Sequence, residues 1–220
     1  FTMFLEIKIM EKIIDSDMSK LDSMFGYSDM SDDIIKFGES KSFSSLRPYL
    51  VGRHADDAFS EIPYEKGYNF LYYLESLVNK ESDIDLFRKM LRAYFTKFKF
   101  KDIKYEDFKN HFIDTINAEL PESKARNVLA QIDWVNWVEE PGFPKVKNDF
   151  SNKYADEVNN YLDLFYQDKL GDDFVDVFKG WHTLLKQYFL RQIRNNGTEL
   201  RYNQYNLLSY TLNLKEGYNA

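Results

Sequence analysis

Ile62-Pro63-Tyr64-Glu65-Lys66-Gly67-Tyr68-Asn69-Phe70-Leu71-Tyr72-Tyr73-Leu74-Glu75-Ser76-Leu77-Val78 carries more structural information than any other part of the chain. Proline stands where a first helical turn tolerates it, because the N–H it lacks would have no intrahelical partner there. Ser60 and Glu61 precede it as a cap and as a partner for the helix dipole. Phe70, Leu71, Leu74, Leu77 and Val78 then recur at helical spacing, so the pattern predicts a helix buried along one stripe. Tyr64 falls in the first turn, at the rim of the packed part, where a phenol can face a cleft. A neutral tyrosine, with a reference pKa of about 10, donates a hydrogen bond at neutral pH and can stabilise an oxyanion. The chain has 16 tyrosines, and packing or a surface role is the ordinary fate of each, so spacing alone does not single Tyr64 out.

C-terminal to this helix, Leu86, Phe87, Met90, Leu91, Tyr94, Phe95 and Phe98 keep helical spacing behind the capping residues Ser82 and Asp83. Lys104-Tyr105-Glu106-Asp107-Phe108 opens another helix, with Phe108, Phe112, Ile113 and Ile116 on its apolar face and Pro121 at its end. Asn127 to Val138 reads as one more, its two tryptophans filling core volume. Glu139-Glu140-Pro141-Gly142-Phe143-Pro144 forbids a continuous helix and marks a division of the chain. Beyond it, Asn152 to Leu170 and Phe174 to Ile193 read as two amphipathic helices. Such a pair cannot bury its stripes alone, which suits the start of a helical-repeat domain. The expected organisation is all-α, with a first domain over residues 1–140, a linker over 141–150 and a partial repeat domain over 151–220.

On the N-terminal side, residues 15 to 58 read as loop-rich with short helices. Asp15-Ser16-Asp17 and Ser31-Asp32-Asp33 are capping signals, and Pro48 and Gly52 punctuate the approach to the central stretch. The acidic residues here lack the D-x-D-x-D-G spacing of a calcium loop. Phe1, Phe4, Leu5, Ile9, Ile13 and Ile14 fall mainly on one helical face with no cap ahead of them, so the chain is expected to open inside a helix.

Composition narrows the function. With 44% hydrophobic and 17% aromatic residues the chain is expected to fold, because disorder needs few aromatics. A formal charge of −7, from 36 acidic and 29 basic residues, disfavours nucleic-acid binding. The absence of cysteine excludes disulfides and thiolate metal sites and fits a cytoplasmic setting. No apolar run reaches the roughly 18 residues of a membrane span, and the first residues lack the basic start and small-residue cleavage site expected of a secretory signal. A helical zinc pair needs histidines four residues apart; His54, His111 and His182 are followed at that distance by Ala58, Thr115 and Lys186. No metal ligand is therefore assigned within the chain.

The run Asp56-Asp57-Ala58-Phe59-Ser60-Glu61-Ile62-Pro63-Tyr64-Glu65-Lys66-Gly67, with the helix from Phe70 to Glu75, resembles the corresponding segment of the leukotriene A4 hydrolase/aminopeptidase family of zinc enzymes. Its V/I-P-Y-E-K-G core is specific. Phe1-Thr2-Met3-Phe4-Leu5-Glu6 resembles the helix that directly follows the family's third zinc ligand. Gln131-Ile132-Asp133-Trp134-Val135-Asn136-Trp137, with Pro141-Gly142-Phe143-Pro144, resembles the end of its catalytic domain. The three matches are collinear with the family.

The resemblance implies the C-terminal half of a gluzincin-type catalytic domain, followed by the start of an ARM/HEAT-like helical-repeat domain. It implies a zinc aminopeptidase that acts on peptides. One zinc ion would sit on ligands upstream of Phe1, an H-E-x-x-H helix and a following glutamate, so that this chain is part of a longer protein. Tyr64 would donate a hydrogen bond to the tetrahedral oxyanion. Asp56 would line the substrate pocket and pair with a basic N-terminal residue. Phe59 stands in that pocket where well-studied members carry tyrosine, which puts lipid-epoxide hydrolysis in doubt more than peptide hydrolysis. Glu6 is either close to the zinc site or a surface glutamate. Thr198-Glu199-Leu200-Arg201-Tyr202 resembles a repeat helix after a connection shorter than expected, and Arg201 is not assigned to the substrate's carboxylate. The alternative function is a non-catalytic helical scaffold derived from an aminopeptidase.

Overall fold

A computed structural model describes residues 1–171 and 173–214, which are helical with no strand among them. They divide into two compact units. One comprises Phe1–Leu5 and Gly26–Asn148, the other Glu6–Phe25 and Asp149–Ala220. Helices α1 (Thr2–Ile13) and α2 (Ser16–Phe37) contribute residues to both.

The first unit is built on α3 (Ile62–Glu81), the helix that the apolar stripe predicts, and Phe70, Leu71, Leu74, Leu77 and Val78 are all buried. Against it pack α4 (Leu86–Phe98) and α6 (Glu122–Ala130), while α5 (Tyr105–Glu119) packs on both of these. Aromatic rings fill the space between them. Phe70 stacks on Trp137 with centroids 5.1 Å apart and meets Trp134 edge-on at 5.4 Å, arrangements favoured by the ring quadrupole.

Three local expectations are corrected in this part of the chain. Residues 16–37 form one 22-residue helix rather than loops with short helices. Its serines are accommodated because Ser23 Oγ donates to the Ser19 carbonyl at 2.8 Å and Ser31 Oγ to the Tyr27 carbonyl at 2.7 Å. Burial of Met18, Leu21, Met30 and Ile34 then outweighs weak helix propensity, and Ser31-Asp32-Asp33 lies inside the helix instead of capping one. Asp85, not Ser82 or Asp83, caps α4 by accepting from the Arg88 N–H at 3.1 Å. Asn127 to Val138 is not one helix. The Asp133 carboxylate accepts from the Asn136 N–H at 3.0 Å and starts a separate π-helical turn, Val135–Glu139.

In the second unit α7 (Lys153–Tyr166) packs on α9 (Thr183–Asn196), and α8 (Phe174–Gly180) on α10 (Tyr202–Thr211). Asn152 caps α7 through the Ala155 N–H at 2.8 Å. The core gathers Val158, Leu162, Phe165, Phe174, Phe178, Trp181, Leu185 and Phe189. The predicted helix from Phe174 to Ile193 is split after Gly180. The Trp181 indole N–H donates to Glu157 at 3.0 Å, and His182 Nδ1 accepts from the Leu184 N–H at 3.3 Å, which starts α9 afresh. Residues 198–201 are not helical either, and α10 begins at Tyr202. Arg201 serves the packing of this unit, since its guanidinium bonds the Tyr166 carbonyl and pairs with Asp168 at 3.0 Å. No helix among the described residues is long and apolar enough to cross a membrane.

Candidate functional site

The first turn of α3 is fixed from several sides. Asp33 Oδ2, on α2, accepts from the Glu61 N–H at 2.7 Å, and Ser60 Oγ accepts from the Ile62 N–H at 3.3 Å. These acceptors satisfy donors that a helix start leaves without intrahelical partners, and Pro63 removes another. From here the residues alternate between two faces. Ile62, Glu65 and Lys66 are buried, while Tyr64 is 45% exposed.

Lys66 is the functional-looking residue that spacing alone left unremarked. It is 0% exposed, and its ammonium donates to the carbonyls of Ser44 at 3.2 Å, Glu140 at 3.0 Å and Gly142 at 2.9 Å. Three donors thus meet three acceptors from two segments remote in sequence. Burial draws the ammonium pKa down to about 8, against the opposing pull of the Glu140 carboxylate. Gly142 has φ +82°, and a Cβ there would stand 2.9 Å from the Glu39 carbonyl oxygen, so glycine is required for the clamp to close. The Gly142 N–H donates to Ser44 Oγ at 2.8 Å and ties the two segments together directly. A signal for this was present in the sequence. Lys66 stands four residues from both Ile62 and Phe70, in register with the buried stripe.

Glu65 fills the space beside α2 left by a missing side chain. A Cβ on Gly26 would lie 2.0 Å from Glu65 Oε2. Asn69 completes the inward face, its side-chain N–H donating to the Glu65 carbonyl at 2.9 Å while Asn148 donates to the Asn69 carbonyl at 2.8 Å.

The expected site residues lie on the solvent-facing side. Asp56 sits in a 3₁₀ turn, Ala55–Ala58, with its side chain 89% exposed and its carboxylate 3.5 Å from His54 Nδ1. Phe59 follows at 75% exposure, and its N–H donates to the Asp56 carbonyl at 3.1 Å. Tyr64 comes next on the same stretch. Backbone bonding fixes Asp56 relative to Phe59, and among the described residues no hydrogen bond joins the Asp56 carboxylate to the Tyr64 phenol. Glu6 is exposed on α1.

A cavity of about 450 Å³ opens elsewhere in the first unit, lined by Gly67, Phe70 and Leu71 on α3 together with Arg47, Tyr105 and Glu106 among others; Tyr64 is not part of its wall. Arg47 bridges Glu106 at 3.1 Å and Glu139 at 3.2 Å. Burial, then the Glu139 and Glu106 carboxylates, push the Tyr105 phenol up to about 12, which keeps it neutral.

Among the described residues no three histidine, aspartate or glutamate side chains cluster as metal ligands. His111 is buried with Nε2 3.2 Å from the Met90 carbonyl, His182 caps α9, and His54 stands in solvent beside Asp56. These side chains do not fit a zinc ion.

The peptidase family M1 domain matches residues 1–137. The chain is 35% identical over 158 residues to leucine aminopeptidase 2 of Emericella nidulans, a match that covers 72% of this chain and 24% of that protein. It is 36% identical over 157 residues to a leukotriene A-4 hydrolase homolog of Botryotinia fuckeliana, covering 71% and 23% respectively. Among solved structures, yeast LTA4 hydrolase in complex with bestatin aligns at a TM-score of 0.73 and 29% identity, covering 90% of this chain and 32% of that one. The chain therefore spans about a quarter of the length of the curated relatives it matches. With its all-helical fold and its collinear motifs, the chain belongs to the M1 peptidase family, in the leukotriene A4 hydrolase/aminopeptidase group.

Proposed function

We propose that this chain supplies the oxyanion donor and part of the substrate pocket of a zinc-dependent aminopeptidase that removes N-terminal residues from peptides. The observation that carries this reading is the placement of Tyr64, a solvent-facing phenol on a helical turn whose opposite face is locked. Tyr64 donates its O–H to the oxyanion that develops as the scissile carbonyl becomes tetrahedral. Asp56 pairs with a cationic N-terminal side chain of the peptide, and Phe59 gives the pocket an apolar wall without a donor. An epoxide hydrolase side activity belongs to the same reading, weakened by the missing hydroxyl at Phe59.

Residues 1–140 are read as the C-terminal part of the catalytic domain, 141–150 as a linker and 151–220 as the start of a helical-repeat domain. Zinc is assigned to ligands outside this chain, because the side chains described here do not gather to hold it. Cytoplasmic residence is proposed from the absence of cysteine.

The full-length protein that carries this chain, with its zinc content measured, tests the proposal on arginyl, leucyl and N-acetyl-leucyl p-nitroanilides. Hydrolysis of the free-amine substrates alone, lost on chelation and restored by zinc, is the expected result. Asp56→Asn should lower kcat/KM for the arginyl substrate about tenfold, by loss of a charge-assisted hydrogen bond, and leave the leucyl substrate unchanged. A zinc-loaded protein that hydrolyses none of them would hand the assignment to the non-catalytic scaffold.

A further inference from the structure

The clamp on the inward face of α3 exceeds what packing requires. Burying an ammonium costs free energy that an apolar side chain of similar length would not. Its three acceptors are neutral carbonyls, and the through-space pull of the Glu140 carboxylate offsets only part of that cost. What the ammonium gains is geometry. A tetrahedral head with three donors converges carbonyls that a planar guanidinium would not match. Ser44, which is fully buried, binds the clamp a second time, since its hydroxyl donates to the Lys41 carbonyl at 2.7 Å while accepting from Gly142. Residues two apart on a helix point to nearly opposite faces. Lys66 and Tyr64 therefore stand on opposite sides of one turn, and whatever fixes one orients the other.

We infer that Lys66 is a positioning residue for Tyr64: by holding the first turn of α3 against the carbonyls of Ser44, Glu140 and Gly142, it keeps the phenol in one orientation toward the reacting carbonyl. The inference rests on the reading of Tyr64 as the oxyanion donor.

The test uses the full-length zinc-loaded protein with 3-fluorotyrosine incorporated at position 64, and compares the parent with Lys66→Met. The parent is expected to give one narrow ¹⁹F line, and the variant a shifted, broadened or split line at unchanged zinc content. In the unlabelled protein, Lys66→Met should lower kcat by about 10-fold to 100-fold with KM within about twofold, the scale expected when a reacting group is displaced by an ångström or less. The same change made on Tyr64→Phe should move kcat by less than about twofold, because there is no phenol left to misplace. Should Lys66→Met fail to fold, Ser44→Ala loosens the same clamp while leaving Lys66 its three carbonyls, and a smaller change of the ¹⁹F line is expected. An unchanged line overturns the inference whatever the kinetics. Equal loss of kcat in both backgrounds also overturns it, since Lys66 would then act without Tyr64. A changed line together with full activity of Tyr64→Phe upholds the positioning and overturns the catalytic reading of Tyr64.

Discussion

The two faces of the first turn of α3 are built on opposite terms. Inward, Ile62, Glu65 and Lys66 are buried, and every donor of the lysine ammonium has an acceptor. Outward, Tyr64 stands in solvent, preceded by the exposed Asp56 and Phe59. A six-residue motif thus divides between a lock and an exposed surface, Pro63 and Tyr64 lying outward between the buried Ile62 and the buried pair Glu65 and Lys66. The contrast teaches that a motif shared with an enzyme family is not uniformly chemical. Its Glu-Lys half explains itself by packing and hydrogen bonding, which leaves its tyrosine as the residue proposed to act on substrate.

The comparison breaks first at Lys66. Lys66→Met leaves three buried carbonyls without their donor, at about 1–3 kcal/mol for each unsatisfied group, offset by the desolvation that the ammonium no longer suffers. A net loss of about 3 kcal/mol is expected in urea unfolding. A loss below about 1 kcal/mol would mean that the inward face is not the lock described above.

The same lysine gives the lock a pH signature. Its pKa is about 8 in the folded protein against 10.5 for the free side chain, so between these values the unfolded state holds a proton that the folded state has released. Stability therefore rises with pH through this window, by at most about 2 kcal/mol from pH 8 to 9.5. Tyr105 acts in the opposite sense higher up. Its raised pKa, about 12, contributes stability that is present below pH 10 and lost as pH rises toward 12. The rise above pH 8 should vanish in Lys66→Met, and a rise of equal size in that variant would assign it to another group.

Gly26→Ala sharpens the comparison with the smallest effect. Alanine is favoured over glycine inside a helix by about 1 kcal/mol, but the new Cβ would meet the buried Glu65 carboxylate at 2.0 Å. Displacing that group costs about 1–3 kcal/mol by overpacking, and a net loss of about 1 kcal/mol is expected from thermal unfolding. A stabilised variant would show that Glu65 has room to move.

How far these features were legible follows from the kind of signal each one leaves. The stripe from Phe70 to Val78 was readable because burial of that face demands apolar residues at helical spacing. Helix α2 was not, because its serines and aspartates have the composition of a loop and its burial falls on a few scattered residues such as Leu21 and Ile34. The breaks at Asp133 and His182 were missed because one side chain accepting a backbone N–H two or three residues on decides each, and spacing does not register a cap inside an apolar pattern. Gly180 was the available clue to the second break. At the site, Tyr64, Asp56 and Phe59 were singled out by resemblance alone, since exposed residues leave no periodic trace. Lys66 had a trace, a cation in register with apolar neighbours, though its three carbonyl partners come from segments that only the fold brings together. The Arg47 and Tyr105 cavity has no sequence signature, because its walls come from separate elements.

The most direct test of the division between lock and working surface is kcat and melting temperature measured together for Tyr64→Phe in the full-length zinc-loaded protein. Loss of one oxyanion donor should lower kcat by about 10²-fold to 10³-fold with little change in KM, while the melting temperature stays within about 1 °C because an exposed hydroxyl holds nothing in place. Unchanged kcat would remove Tyr64 from the reaction, and a melting temperature lowered by several degrees would place it with Lys66 in the lock.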